Sequence, residues 1–474
     1  MTENISQPFF FGAATSAYQA EGTAGSRLPV SWDREFHDET STFNADVASD
    51  FYHTFANDFT CAKSIGLNAV RISIAWSRII TDTHDTINQE GILYYHEMID
   101  SCLSQGLEPF VTLHHFDTPS LFFESGDWLN EATIDHFVTF ARICFSEYGK
   151  KVRYWITINE PWSVACGQYV VGHFPPHVHY DLHSAVTAMH SMMVAHARCA
   201  ALYKTMGLSG QIGIVHILES KYPLQDTALA RNAAEKEDVL ANTFLLDATL
   251  KGSYDEQTLV LINTILHASH PTNEDKQSFI VSKQDSAILE KGSRCTDFIG
   301  INYYTSHFLM PWDEENDIHH NGTGQQGTSR FRLKGLGQRV RNKSLETTAW
   351  DWAIYPKGLE DMLQRLKQDY GNPRVYVTEN GLGARESLCD ETVKDTERIA
   401  YLIQHIGTVL DQRKAGCNIH GYFIWSLFDL LSWTNGYTKR YGLFYTDFVT
   451  QKRYPKQSAL WMREFLHGFF NSNL

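Results

Sequence analysis

YWITINEPW, residues 154–162, is a run of apolar, aromatic and β-branched residues that stops on Asn159 and Glu160. VYVTENGL, residues 375–382, has the same form and stops on Glu379 and Asn380. Runs of this length and composition predict buried strands, and each of these two ends in a carboxylate. Working outward, the chain holds eight such runs, at 9–13, 69–73, 109–113, 154–159, 211–216, 298–303, 375–379 and 419–425. Between them lie stretches with apolar residues three and four apart, among them 50–65, 91–105, 134–148, 184–203 and 396–414, which predict helices. Strand–helix alternation is the pattern of βαβ units around a parallel sheet. Eight units fit a closed (β/α)8 TIM barrel better than an open doubly wound sheet. Barrels extend past 250 residues through loop insertions, so one catalytic domain over 1–474 is expected, with long loops at its C-terminal face.

Polar residues able to do chemistry cluster at the ends of these runs. Arg71 lies in VRIS, His115 follows FVTLH, Asn159 and Glu160 follow WITI, Asn302 and Tyr304 lie in GINYY, and Glu379 follows VYVT. Barrel enzymes carry their chemistry at that face. The stretch 313–348, rich in Gly, Asn, Ser and charge, predicts a long insertion after the sixth strand, either shaping a site or merely solvated.

A formal net charge of −15 argues against a nucleic-acid partner, because phosphate-backbone binding needs a basic face. An anionic small substrate would need a local cationic pocket. With 43% hydrophobic and 20% charged residues the chain can bury a large core, so disorder is not expected. The eight cysteines are scattered without a C-x-x-C pair and predict reduced thiols. No apolar stretch reaches the length of a membrane span, and the first 22 residues lack a basic segment ahead of a long apolar one. These features predict a cytoplasmic protein without a membrane partner. The run HFPPHVHYDLH, with His173, His177, His179 and His183, has prolines that preclude a regular helical histidine pair, and no metal is expected. No glycine-rich phosphate loop or nicotinamide fingerprint follows the first strand, and no cofactor is expected.

Strands four and seven of a barrel face each other across its mouth, so Glu160 and Glu379 can flank one substrate. Cleavage of a glycosidic bond with retention needs such a pair: one carboxyl protonates the leaving oxygen and one carboxylate attacks the anomeric carbon. Taken singly, either glutamate could be a helix first-turn or capping residue. The pair needs different protonation states at one pH, which a cation beside Glu379 and an apolar shell around Glu160 would give. Trp155 and Trp162 flank Glu160 in sequence and are candidates for that shell.

FFFGAATSAYQAEG (9–22), VRISIAWSR (70–78), VTLHHFDTP (111–119), TINEPW (157–162), YVTENGL (376–382) and FIWSLFDLLSW (423–433) resemble, in order, the motifs of glycoside hydrolase family 1. The resemblance runs from residue 9 to about residue 460. It implies a (β/α)8 barrel and double-displacement hydrolysis of β-glycosides, with Glu160 as acid/base and Glu379 as nucleophile. It further implies glycone contacts from Gln19, His115, Asn159 and Trp425, and supports near the nucleophile from Asn302, Tyr304 and Arg71. On its own His115 would read as a satisfied core histidine.

The segment DLLSWTNGYTKRYGLFY (429–445) narrows the resemblance. Family members acting on neutral sugars carry an acidic residue where this chain has Ser432. Ser432 followed by Lys439 and Tyr441 is similar to the 6-phospho-β-glycosidase branch, where these groups bind the sugar's 6-phosphate. Hydroxyls donate to a phosphate dianion and an ammonium neutralises it, whereas a carboxylate would repel it. Lys439 and Arg440 could instead be a solvated basic loop. Trp433, with GQYVVGHFPP, YDLHSAV and TAWDWAIYP, resembles the 6-phospho-β-galactosidase group. The expectation is hydrolysis of a 6-phospho-β-galactoside such as lactose 6-phosphate. The alternatives are a 6-phospho-β-glucosidase, an enzyme accepting both sugars, or a non-catalytic sugar-phosphate sensor.

Overall fold

The computed structural model describes residues 9–39, 41–269 and 278–472. Residues 1–8, part of the segment on which the absence of a leader was argued, lie outside them. Eight parallel strands close a barrel: β1 Phe10–Ala14, β2 Ala69–Ser73, β3 Glu108–His114, β4 Tyr154–Asn159, β5 Gln211–Ile217, β6 Phe298–Asn302, β7 Val375–Asn380 and β8 Ile419–Trp425. Each strand pairs with its sequence neighbours, and β1 pairs with both β2 and β8. All eight runs read from the sequence are barrel strands, their ends moved by at most one residue. Parallel strands covered on both sides read as continuous apolar runs, which is why they stand out.

The barrel interior is filled by side chains from its own strands, including Phe10, Phe110, Tyr154, Phe298, Tyr376 and Phe423. Phe110 and Tyr154 stack at 4.3 Å with 9° between their rings. Gly12 makes room for this packing: a Cβ there would lie 2.4 Å from the Phe423 ring and 2.9 Å from the Ala69 carbonyl. The outer helices bury one apolar stripe each. In Glu131–Tyr148, Ile134, Phe137, Val138, Ala141 and Phe145 face the barrel, and Asn130 caps the first turn by accepting from the Ala132 amide at 3.0 Å. Among the described residues no helix is long and apolar enough to cross a membrane.

The insertion at 313–348 is not simply a loop. Its segments Asp317–His319, Arg330–Leu333 and Gly337–Val340 join His307–Met310 and Lys221–Pro223 in a five-stranded sheet beside the barrel mouth. Strands of three or four residues carrying Arg330, Arg332 and Arg339 give no apolar run, so the sequence pattern did not reveal them.

Candidate active site

Strand register sets the polar strand ends at one level. Ala14 pairs with both Arg71 and Trp425, and Glu379 pairs with Asn302. A cavity of about 500 Å³ opens at this rim and is lined by Glu160 and Glu379. Gln19, His115, Asn159, Tyr304, Trp425, Ser432, Trp433, Lys439 and Tyr441 line it too. Arg71 and Asn302 lie just behind the wall, fully buried.

Glu379 is held at both oxygens. Oε1 accepts from Arg71 Nη1 at 2.5 Å and Oε2 from the Tyr304 hydroxyl at 2.6 Å. Arg71 is in turn fixed by donating to Thr112 Oγ1 at 3.1 Å and Asn159 Oδ1 at 2.7 Å. Burial raises the Glu379 carboxyl above the ordinary glutamate value, and Arg71 and Tyr304 offset part of that by favouring the charged form.

Glu160 ends β4 in the left-handed region, with φ 48° and ψ 67°, and Pro161 starts the helix Pro161–Ala165 directly behind it. A non-glycine residue in that region is strained, and its amide is tied to the Val215 carbonyl at 2.9 Å. The carboxyl accepts from Ser163 Oγ at 2.6 Å and from Asn302 Nδ2 at 2.5 Å. Burial, reinforced by the charge of Glu379, pushes its pKa up to about 8 against those two donors. At neutral pH Glu160 therefore keeps its proton, while the Arg71 guanidinium favours the charged form of Glu379 beside it, an arrangement able to supply an acid and a nucleophile or base. Of the two tryptophans expected around Glu160, Trp162 lines the cavity, whereas Trp155 packs outward on Phe145 of the helix layer. Side chains alternate faces along a strand, and Trp155 lies on the outward set.

Around this pair, Asn159 Nδ2 meets His115 Nε2 at 3.3 Å, and the His115 ring stacks on Trp425 at 5.7 Å. Burial and nearby Arg71 hold His115 well below the usual histidine range, so it is neutral. Gln19 accepts from Ser16 Oγ and donates to the Leu431 carbonyl, both at 2.6 Å. That bond ties the first helix to the loop after β8.

In that loop, Ser432 and Gly436 exchange two backbone bonds of 2.9 Å, and Trp433 stacks on Tyr18 at 5.5 Å. Lys439 is 3% exposed and is no part of a solvated basic loop. Its Nζ lies 3.6 Å from the Trp352 ring centre, 4.9 Å from Trp350 and 5.4 Å from Tyr441, with no carboxylate partner among the described residues. Burial alone pulls its ammonium well below the ordinary lysine value. Arg440 is committed elsewhere, donating to Asp429 Oδ2 at 2.8 Å and the Thr446 carbonyl at 2.9 Å.

Trp350 and Trp352 were not singled out from the sequence as site residues. Their signal was the segment TAWDWAIYP that holds both, which entered the resemblance as a whole with no role attached to either tryptophan. Ser163 and Thr112 were also missed, and nothing in their local sequence marks them. The histidines of 173–183 do not converge: His173 stacks on His320 at 4.6 Å, while His177 pairs with Glu35 at 2.7 Å.

The chain matches the family described as glycosyl hydrolase family 1 over residues 1–468. It is 48% identical over 463 residues to a protein of Clostridium acetobutylicum named 6-phospho-beta-galactosidase, covering 97% of this chain and 96% of that protein. Proteins of the same name from Streptococcus equi subsp. zooepidemicus and Streptococcus mutans are 46% and 45% identical, each with 98% of both chains covered. Among solved structures, the GH1 beta-glucosidase from Exiguobacterium antarcticum superimposes with a TM-score of 0.86 at 33% identity, covering 97% of both chains. A family 1 β-glucosidase from Thermotoga maritima gives 0.85 at 29% identity, covering 98% of this chain and 99% of that one.

Proposed function

The chain belongs to glycosyl hydrolase family 1, and from that premise we propose that it is a 6-phospho-β-galactosidase cleaving substrates such as lactose 6-phosphate with retention. Glu160 protonates the glycosidic oxygen while Glu379 attacks the anomeric carbon, giving a glycosyl-enzyme and releasing the alcohol. Glu160, now ionised, takes a proton from water, which attacks the anomeric carbon and frees Glu379. Arg71 and Tyr304 orient the nucleophile, and Asn302 orients the acid. Gln19, His115, Asn159 and Trp425 bind the glycone.

The observation that carries the phosphate specificity is Lys439, a buried cation without a carboxylate partner among the described residues, on the wall of the cavity that holds both glutamates. A buried charge is costly until it is paired, and a phosphate dianion supplies the pair. The Ser432 and Tyr441 hydroxyls line the same cavity and can donate to the remaining phosphate oxygens. The relatives' names support the galacto sugar, and Trp433 beside Ser432 is the residue assigned to face it. A cytoplasmic location belongs to the same reading, since thiols stay reduced there and all eight cysteines are unpaired.

The test is kcat/KM on nitrophenyl β-galactoside and β-glucoside, each with and without a 6-phosphate. The 6-phosphogalactoside should be the best of the four. A preference for either unphosphorylated sugar would overturn the assignment.

A further inference from the structure

The cavity has a second polar wall, opposite in character to the lone lysine. The phosphate loop follows β8, next to β7 and Glu379, whereas Glu160 ends β4, which pairs with β5. A general acid must touch the oxygen that leaves, so the leaving group extends past Glu160 toward the end of β5 and the five-stranded sheet. Glu219 and Arg339 face the cavity there. Glu219 Oε2 bonds His307 Nε2 at 2.7 Å and Lys221 Nζ at 3.2 Å, while Oε1 has no partner among the described residues. Arg339 Nε donates to Glu237 Oε1 at 2.8 Å, its guanidinium rests 4.1 Å from the Phe331 ring centre, and its terminal nitrogens have no partner among the described residues. Lys221, whose side chain is fully buried, joins the two halves by also meeting Glu237 at 3.3 Å.

Two carboxylates thus balance two cations, with His307 kept neutral by burial. These four groups carry no net charge among themselves, and they offer one fixed acceptor and one fixed donor fork. Resting on the reading of Glu160 as the acid, we propose that Glu219 and Arg339 form a leaving-group subsite for a neutral polyhydroxylated ring such as a hexose. One ring hydroxyl donates to Glu219 Oε1 and a neighbouring one accepts from Arg339. An aryl leaving group uses neither.

The experiment compares kcat/KM for lactose 6-phosphate and o-nitrophenyl β-galactoside 6-phosphate in wild type, Glu219→Gln and Arg339→Lys. Losing one charge-assisted contact should lower the disaccharide constant about 10- to 100-fold and change the nitrophenyl constant less than about 3-fold. Arg339→Lys keeps the charge that faces Glu237, so it decides the question if Glu219→Gln fails to fold. Equal losses on both substrates, or no loss on the disaccharide, would overturn the subsite. A wild-type protein that hydrolyses neither phosphorylated substrate would instead overturn the functional reading beneath it.

Discussion

Lys439→Met should remove phosphate recognition and at the same time make the empty protein more stable. The Lys439 ammonium lies among the rings of Trp350, Trp352 and Tyr441, and Met preserves most of the side-chain volume. In the free protein the ammonium is desolvated and has no carboxylate partner among the described residues, so burial disfavours the charged form and the cation–π contacts offset only part of that cost. Removing the charge should therefore raise the melting temperature by about 1–3 °C, a small shift because a chain of 474 residues has a large unfolding entropy. With substrate bound the balance inverts. A partly buried ammonium–phosphate contact contributes about 2–4 kcal/mol, so kcat/KM for 6-phosphogalactosides should fall about 30- to 1000-fold. Unphosphorylated galactosides should change less than about 3-fold. The assay is the ratio of the two constants, read beside calorimetric melting without ligand. Equal loss on both substrates, or a melting temperature that falls, would refute the reasoning that Lys439 is an unpaired cation waiting for an anion.

Glu379→Gln should lower turnover at least about 1000-fold with substrate binding largely kept, measured by kcat and by calorimetric titration. Glu160→Gln should impair poor leaving groups most, and azide should restore turnover of nitrophenyl substrates as a glycosyl azide product. With its pKa near 8, Glu160 gives an alkaline limb: kcat/KM falls as pH rises through about 8, and Glu160→Gln should lack that limb. The folded value lies above the ordinary 4.5, so the stability this carboxyl contributes is full below about 4.5 and is lost as pH rises through about 8. Thermal melts of Glu160→Gln should gain on wild type across that window. Gly383→Ala should act selectively on phosphorylated substrates: its Cβ would lie 2.7 Å from Lys439 Cε and 2.8 Å from the Tyr441 ring. Both buried side chains must shift, which should reduce the phosphate preference about 10-fold and lower the melting temperature by a few degrees.

The amino-acid sequence by itself determined the barrel and the level at which its chemistry sits. Strands β1–β8 are buried on both faces and so read as unbroken apolar runs, and a polar residue that ends such a run must emerge at the rim. Glu160 and Glu379 were legible for that local reason, as were Asn159 and Asn302. What tertiary structure decided were the relations between distant positions. Arg71 reaches Glu379 across 308 residues, and Asn302 reaches Glu160 across 142. The charged short strands of the five-stranded sheet form only because neighbouring segments supply their hydrogen bonds. Lys439 followed by Arg440 reads as a basic pair, yet one is desolvated under two tryptophans and the other is neutralised by Asp429. Likewise burial, which no local pattern encodes, raises the carboxyls of both Glu160 and Glu379. The field at a side chain is set by what the whole fold brings within a few ångströms, while the pattern along the chain reports only which face of an element is dry.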